Sequence, residues 1–187
     1  MNMLSQFTEE QGSSKSCLAD LGDFPKDVYP VGRLDGDSEG LLLLTHDKTL
    51  NDRLLNPVNR HMRTYLVQVE GLVTKKALKS LRLGVQIRIR KENHFTAPAE
   101  VKVVDPPSWL SERNPPVRYR ADIPTSWIEL TITEGKNRQV RRMTAAVGFP
   151  TLRLVRIAIG KLSVHQVLPD TIKLISKEDV ELALKCI

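Results

Sequence analysis

One stretch of the sequence passes from the period of a strand to the period of a helix within a few residues. Residues 127–150 read WIELTITEGKNRQVRRMTAAVGFP. In its first part apolar side chains occupy every second position, which is typical of a half-buried strand. After Gly135 the apolar positions recur every three to four residues, which predicts a helix over 138–147 that ends at Gly148 and Pro150. A strand followed directly by a helix predicts a fold that contains layers of both.

The same two periods continue on either side of this stretch. They predict helices after Asp47 and over 74–83, and strands over 41–45, 63–69, 85–90, 99–104 and 151–159. Strands outnumber helices, and most connections are too short for crossovers. We therefore predict an α+β fold with a mixed, largely antiparallel central sheet and flanking helices.

The composition excludes several classes of protein. Of the 187 residues, 41% are hydrophobic and 27% are charged, as in an ordinary globular domain. The two cysteines, Cys17 and Cys186, are too few for a disulfide framework or a zinc site, and we expect free thiols in a reducing compartment. No apolar run approaches the ~20 residues that span a bilayer, and no signal peptide is visible. We expect a cytoplasmic protein that does not bind membranes.

Basic residues exceed acidic ones and are concentrated at one helix start. The chain has 28 Lys and Arg against 22 Asp and Glu, a net charge of +6, which favours a polyanionic partner. Four cations, Lys136, Arg138, Arg141 and Arg142, lie where the helix over 138–147 begins. Cations there oppose the helix dipole, whereas an anion would be bound by them and by the free N–H groups. The alternative interpretation is a solvated basic helix face.

Three carboxylates lie within five residues of each other, at Asp35, Asp37 and Glu39. Their alternate spacing suggests a calcium loop, but position 12 counted from Asp35 is His46, where an EF-hand needs Glu. Two interpretations remain: an acidic turn in solvent, or a carboxylate held in a cleft by cations and used as a nucleophile or base.

Two other features also have two interpretations each. Tyr65 shares a strand face with Val67 and Val69, so it is either a core residue or part of a site. The segment 105–120 is rich in proline and carries Trp109, Arg113, Arg118 and Arg120. It is either a solvated connector or a loop that contacts RNA through its cations and its aromatic ring.

Several motifs together resemble the bacterial rRNA pseudouridine synthases. Their order and spacing agree with that family over roughly residues 5 to 165. The motifs are GRLD (32–35) with SEGLLLLT (38–45), RTYLVQVEG (63–71), EGKNRQVRRM (134–143) and LRLVRIAIG (152–160).

This resemblance implies an architecture and a substrate. It implies one catalytic domain over residues 1–187, with two lobes around a catalytic cleft and without an S4 RNA-binding domain. The family opens with a strand ending in Lys-Pro, and we expect this chain to begin after it. The implied partner is 23S rRNA or a pre-ribosomal large-subunit particle. The resemblance implies no cofactor and no catalytic metal, and we expect a monomer.

The resemblance also assigns catalytic roles. Asp35 matches the catalytic aspartate, which acts as nucleophile at C1′ of the target uridine or as base at C2′. Arg141 is the best match for the cation that keeps this aspartate ionised, with Lys136 as the second choice. Tyr65 matches the tyrosine that stacks on the target base and helps to remove the proton from C5.

Further residues are assigned to substrate binding by the same resemblance. Leu154 would form a wall of the uracil pocket, and Arg33 would enter the space near the flipped base. Lys136, Arg138 and Arg142 would hold the RNA backbone. Two other functions stay open at this point: an RNA-binding protein without activity, and a carboxylate hydrolase, which would need a second acid across the bond.

Overall fold

A computed structural model describes residues 3–9, 11–12, 14–117, 123–166 and 171–184 of the chain. Within these residues the strands are β1 (Met3–Leu4), β2 (Ser16–Cys17), β3 (Tyr29–Pro30), β4 (Glu39–Gly40), β5 (Leu44–Thr45), β6 (Arg63–Glu70), β7 (Gln86–Ile89), β8 (Glu92–Phe95), β9 (Glu100–Val104), β10 (Thr125–Ile132), β11 (Thr151–Ile159) and β12 (Leu162–Ser163). The α-helices are α1 (Lys48–Leu55), α2 (Lys75–Leu83), α3 (Gln139–Ala146) and α4 (Lys177–Leu184).

A central sheet runs in the order β12-β11-β6-β10-β9, with β4 beside β11. Every pairing in it is antiparallel except that of β4 with β11, which is parallel. The predicted α+β fold with a mixed, largely antiparallel sheet is confirmed. The central strand is β6, so its residues have neighbours on both sides.

The main hydrophobic core lies on the face of this sheet that α2 and α3 cover. Val67 and Val69 of β6 have no exposed surface, and Met143 of α3 is equally buried. The alternation predicted for β10 is confirmed, since Ile128, Leu130 and Ile132 are its buried positions in the same core. Thr74 begins α2 by accepting a hydrogen bond from the N–H of Ala77, as its sequence predicts.

A second hydrophobic cluster joins α1 and α4 to the end of β11. Leu50 and Leu54 of α1 contact Val180 and Leu184 of α4 there. Asp47 caps α1 as predicted, by accepting a hydrogen bond from the N–H of Leu50. This cluster supports the segment that leads into the acidic turn. That the chain forms a single catalytic domain stays a prediction.

Parts of the sequence prediction are wrong or incomplete. Of the single strand expected over 41–45, only Leu44–Thr45 is a strand, β5, which pairs with β3. The strand that pairs with β11 is β4, which lies just before this segment at Glu39–Gly40. Gly40 allows this change of partner, because it has a φ of +104° and any side chain there would collide with the backbone of Arg156. The prediction missed β8, α4 and the two-residue strands β1, β2, β3 and β12. The β8 sequence, ENHF, lacks the alternation that identifies a strand.

Candidate active site

The predicted catalytic carboxylate, Asp35, begins a tight turn at the edge of the central sheet. The N–H of Ser38 donates to the carbonyl oxygen of Asp35 at 2.8 Å and closes the turn. Just before it, the backbone N–H and carbonyl of Leu34 both bind the hydroxyl of Ser5, at 3.0 and 3.1 Å. Ser5 is buried, so these bonds fix the turn from the side of β1.

Two arginines of the α3 region hold this turn from the opposite side. Arg138 donates from both terminal nitrogens to the carboxylate of Asp37, at 2.9 and 2.8 Å, and its Nη1 lies 3.6 Å from Oδ2 of Asp35. Arg141 donates to the carbonyl oxygen of Asp37 at 2.6 Å, and its Nε lies 3.4 Å from the Asp37 carboxylate. The turn is therefore fixed by two cations that pair with its carboxylates.

The charges in this group affect one another unequally. The hydrogen bond from Arg138 holds the pKa of Asp37 below its ordinary value, and the same bond raises the pKa of Arg138. Burial lowers the pKa of Arg141, whose side chain is only 12% exposed, and the nearby charge of Arg113 adds to that effect. An arginine stays protonated at neutral pH nonetheless.

In the structure, the arginine that pairs with Asp35 is not the one that we expected. We expected Arg141 to pair with Asp35, with Lys136 as the second choice. The direct ion pair of Asp35 among the described residues is with Arg138, whereas Arg141 contacts Asp37 and acts on Asp35 from farther away. The side chain of Asp35 remains 36% exposed, so the carboxylate is accessible from solvent.

A buried arginine connects the acidic segment with the proline-rich segment. Arg153 of β11 donates to both carboxylate oxygens of Glu39, at 3.0 and 2.8 Å, and to the carbonyl oxygen of Ser111 at 2.8 Å. In the same segment Arg113 donates to the carbonyl oxygen of Leu152 at 3.0 Å. The part of the segment up to residue 117 is thus held against β11. Two cations named for this segment, Arg118 and Arg120, lie outside the described residues.

Tyr65 lies across the sheet from the acidic segment. Gly40 of β4 is paired with Arg156 of β11, and Arg156 is paired with Tyr65 of β6. Two strand spacings, about 10 Å, therefore separate Gly40 from Tyr65. The ring of Tyr65 packs on the main core while its side chain stays half-buried. The interpretation as a core residue is therefore confirmed for part of the side chain, and a role of Tyr65 in a site stays a prediction.

Arg156 is the charged neighbour of Tyr65. Its Nε donates to the carbonyl oxygen of Leu41 at 2.7 Å, and its side chain is buried. Burial lowers the pKa of this arginine, and its interaction with the Tyr65 side chain acts in the opposite direction. Leu154, two residues earlier on the same strand, is buried in the main core. Its place in a uracil pocket stays a prediction.

The remaining predicted residues have different surroundings. Lys136 is exposed at the start of the α3 region, and Arg33 is exposed two residues before Asp35. Arg142 is less free than we expected, since it donates to the carbonyl oxygens of Asn137 and Arg88. Its guanidinium therefore joins two parts of the structure as well as presenting a charge.

Three residues of this site did not emerge from the sequence: Ser5, Arg153 and Arg156. The two arginines interrupt an otherwise apolar strand, and charged residues are seldom buried unless they are paired. That pattern was a usable signal that β11 lies beside groups with negative charge or free carbonyl oxygens. Nothing in the sequence around Ser5 distinguishes it from a surface serine.

The arrangement supports chemistry by a single carboxylate in a positive environment. A nearby cation favours the ionised form of a carboxylate, which is the form that a nucleophile or a base needs. Among the described residues, no group of three or more His, Cys, Asp or Glu side chains could hold a metal ion. Over the same residues, none of the helices is long and apolar enough to cross a membrane.

The chain is similar in sequence to known proteins. The family model described as RNA pseudouridylate synthase matches residues 2–146. Ribosomal large subunit pseudouridine synthase E of Xanthomonas axonopodis pv. citri (strain 306) is 53% identical over 158 residues, which are 84% of this chain and 80% of that protein. A protein of the same name from Vibrio vulnificus (strain CMCP6) is 50% identical over 174 residues, which are 92% of this chain and 70% of that protein.

The fold is also similar to that of a solved structure. A crystal structure of a pseudouridylate synthase superposes with a TM-score of 0.76 and covers 98% of this chain and 70% of that chain. The two sequences are 24% identical. This likeness is evidence for a shared fold.

Proposed function

This chain belongs to the RNA pseudouridylate synthase family and is an RNA pseudouridine synthase, an isomerase; we propose that it isomerises a specific uridine of 23S rRNA. The names of its relatives support the large ribosomal subunit as the source of this RNA. The substrate is free 23S rRNA or a pre-ribosomal large-subunit particle, and the enzyme acts on it as a monomer in the cytoplasm.

The observation that carries this proposal is the position of Asp35. It is a half-exposed carboxylate in a turn that Arg138 and Arg141 hold from one side and Ser5 from the other. Arg138 and Arg141 place positive charge beside it, and the fixed turn orients it without side-chain rearrangement.

The proposed reaction rearranges the bonds of the uridine and adds or removes no atoms overall. The N1–C1′ bond of the uridine breaks, the uracil turns, and C5 bonds to C1′. N1 gains a proton and C5 loses one, so substrate and product are isomers and no cofactor is consumed. Asp35 acts either as the nucleophile that bonds to C1′ or as the base that removes the proton from C2′.

The other side chains bind and orient the base. Tyr65 stacks on the uracil after the nucleotide has been flipped out of its stem. The buried Arg156 fixes the position of the Tyr65 side chain, and Leu154 forms an apolar wall next to it. Arg33 enters the space near the flipped base. Lys136 binds the RNA backbone, and Arg138 and Arg142 add positive charge beside it while Asp37, Asn137 and Arg88 hold them in place.

A comparison of two neighbouring carboxylates tests this proposal. Unmodified 23S rRNA transcripts are incubated with the wild type, with Asp35→Asn and with Asp37→Asn, and pseudouridine is mapped at each position. We expect Asp35→Asn to lower the rate by at least about a hundredfold while RNA affinity stays within a few fold. Asp37→Asn should keep measurable activity, because that carboxylate holds Arg138 and Arg141 but does not react.

Three outcomes would contradict the proposal. Asp35→Asn at a tenth of the wild-type rate would remove Asp35 from the chemistry. RNA binding by the wild type without pseudouridine on any transcript would indicate a binding protein. Release of free uracil would indicate a hydrolase.

A further inference from the structure

The hairpin formed by β7 and β8 carries a group of exposed cations. Gln86 and Arg88 of β7 face solvent, whereas Ile87 and Ile89 face the main core. Arg90 and Lys91 form the turn and are exposed as well. Among the described residues, no ion pair involves Arg88, Arg90 or Lys91, although Glu92 follows them in sequence.

Both strands of this hairpin are attached to the start of α3. On β7, the carbonyl oxygen of Arg88 accepts a hydrogen bond from Nη1 of Arg142, which also binds Asn137. On β8, Nε2 of His94 and Oε2 of Glu134 form a side-chain hydrogen bond of 3.1 Å. The cations of the hairpin therefore lie beside those of the catalytic region at a fixed distance.

Glu134 makes this attachment rigid. Its Oε1 accepts from the backbone N–H of Ala97 at 2.8 Å and from Nε2 of Gln139 at 2.6 Å. Gln139 is buried and also accepts from the N–H of Lys136 at 2.9 Å. One carboxylate thus connects the hairpin, the first residue of α3 and the loop that presents Lys136.

At the tip of the hairpin, the backbone conformation of Arg90 is one that favours glycine or asparagine over arginine. Arg90 has a φ of +56°, in the left-handed region that glycine and asparagine adopt at the lowest cost in energy. Arg138, which contacts Asp35, shares this backbone conformation with a φ of +50°. An arginine at such a position costs stability relative to asparagine, so Arg90→Asn removes the charge without a penalty to the fold.

We propose that the tip of this hairpin, Arg88, Arg90 and Lys91, binds the phosphate backbone of the rRNA stem next to the target nucleotide. This inference rests on the proposed function for the identity of the RNA. The stem would continue from the cations at the start of α3 onto the hairpin. Because the hairpin is attached to α3 through Glu134 and Arg142, binding there adds affinity for the stem at a fixed distance from Asp35.

A matched pair of triple variants tests the hairpin. One variant changes Arg88, Arg90 and Lys91 to Gln, and the control changes Lys75, Lys76 and Lys79 of α2 to Gln. Both lower the net charge by three, and the α2 lysines are exposed as well. Binding is measured on tiled fragments of unmodified 23S rRNA transcript, together with single-turnover rates at saturating protein.

We expect the hairpin variant to weaken RNA binding by about tenfold or more, and to reduce the salt dependence of binding by about two units of log–log slope. Its rate at saturating concentration should stay within a few fold of the wild type. The α2 variant should bind within about twofold of the wild type. Equal losses in the two variants would mean that only total charge matters and would overturn the proposal, as would unchanged binding by the hairpin variant.

Single substitutions at Arg90 separate a role in RNA binding from a role in folding. Arg90→Asn suits the left-handed backbone, so its melting temperature should equal or exceed that of the wild type while RNA binding weakens several fold. Arg90→Lys should retain most of the binding. Wild-type binding by Arg90→Asn would overturn the proposal.

The outcomes also distinguish this proposal from the proposed function. Binding is measured independently of turnover. If the wild type makes no pseudouridine but the hairpin variant alone loses RNA binding, the proposed function fails and the hairpin assignment stands. If the wild type makes pseudouridine and both triple variants bind equally, the hairpin assignment fails and the proposed function stands.

Discussion

At the scale of single residues, two carboxylates two positions apart have different environments. Asp37 is bound by Arg138 and Arg141 through its carboxylate, and its backbone carbonyl is also occupied. The carboxylate of Asp35 has one ion pair among the described residues, 3.6 Å from Arg138, although its side chain is slightly less exposed than that of Asp37, 36% against 43%. A carboxylate whose two oxygens both accept hydrogen bonds from an arginine is a poor nucleophile, whereas one with a single long contact keeps lone pairs for a substrate. The geometry therefore favours Asp35 over Asp37 for the chemistry.

Substitutions at Tyr65 distinguish the role of its ring from that of its hydroxyl. Tyr65→Phe keeps the ring but lacks the hydroxyl that we propose helps to remove the proton from C5. We therefore expect glycosidic cleavage to continue and the reaction to stall before release. Tyr65→Ala loses the stacking on the uracil, worth about 1–3 kcal/mol, and should lose both target binding and chemistry. Single-turnover assays that separate cleavage from product formation measure this difference.

The thermal stability of the same variants provides the control. The ring packs on the main core, so Tyr65→Ala also leaves a cavity and lowers the melting temperature. Tyr65→Phe should melt close to the wild type. A fully active Tyr65→Phe together with a large loss of stability in Tyr65→Ala would show that Tyr65 is a core residue only.

At the scale of elements, the sequence predicts what depends on local spacing. The alternation of β6 and β10, the presence of β11 and the caps of α1 and α2 were predictable, because each depends on residues within a few positions. The candidate site was predictable only by motif, through Asp35, Tyr65 and the α3 cations. The pairing of Glu39 with Arg153 joins residues 114 positions apart, and no local pattern encodes it. The same is true of the change from pairing with β11 at β4 to pairing with β3 at β5.

The pair of Glu39 and Arg153 connects three elements and should contribute strongly to stability. Arg153 is 6% exposed, so Glu39→Gln leaves a buried guanidinium without its counter-charge. We expect this to cost about 3–5 kcal/mol in the free energy of unfolding, measured by urea denaturation. Combining Glu39→Gln with Arg153→Met should recover part of the loss, because the unpaired charge is then gone.

An exposed ion pair on the same sheet is the matched control. Lys102 and Glu129 lie 2.9 Å apart on β9 and β10, and the lysine side chain is 63% exposed. Glu129→Gln should cost less than about 1 kcal/mol, because solvent screens such pairs. Similar costs for the two glutamates would show that Arg153 does not need Glu39.

At the scale of the whole molecule, the net charge of +6 is not evenly available to a partner. Arg138 is neutralised by Asp37, and Arg142 is bound to backbone carbonyl groups. Lys136 is exposed on the same side, and the hairpin tip adds three more cations. The cations that RNA meets first are therefore about four, fewer than the count of basic residues suggests.

This number predicts how binding depends on salt. Each phosphate contact contributes about −0.7 to −0.9 to the slope of log affinity against log salt, so four contacts predict a slope of about −3. Fluorescence anisotropy between about 50 and 300 mM KCl, with Asp35→Asn to prevent turnover, measures it over a range where screening changes strongly.

Asp37→Asn releases Arg138 from its internal partner, and the slope should become steeper by about one contact, roughly −0.7 to −0.9. A slope near zero would show that phosphate contacts do not dominate binding, and an unchanged slope in Asp37→Asn would show that Arg138 does not reach the RNA.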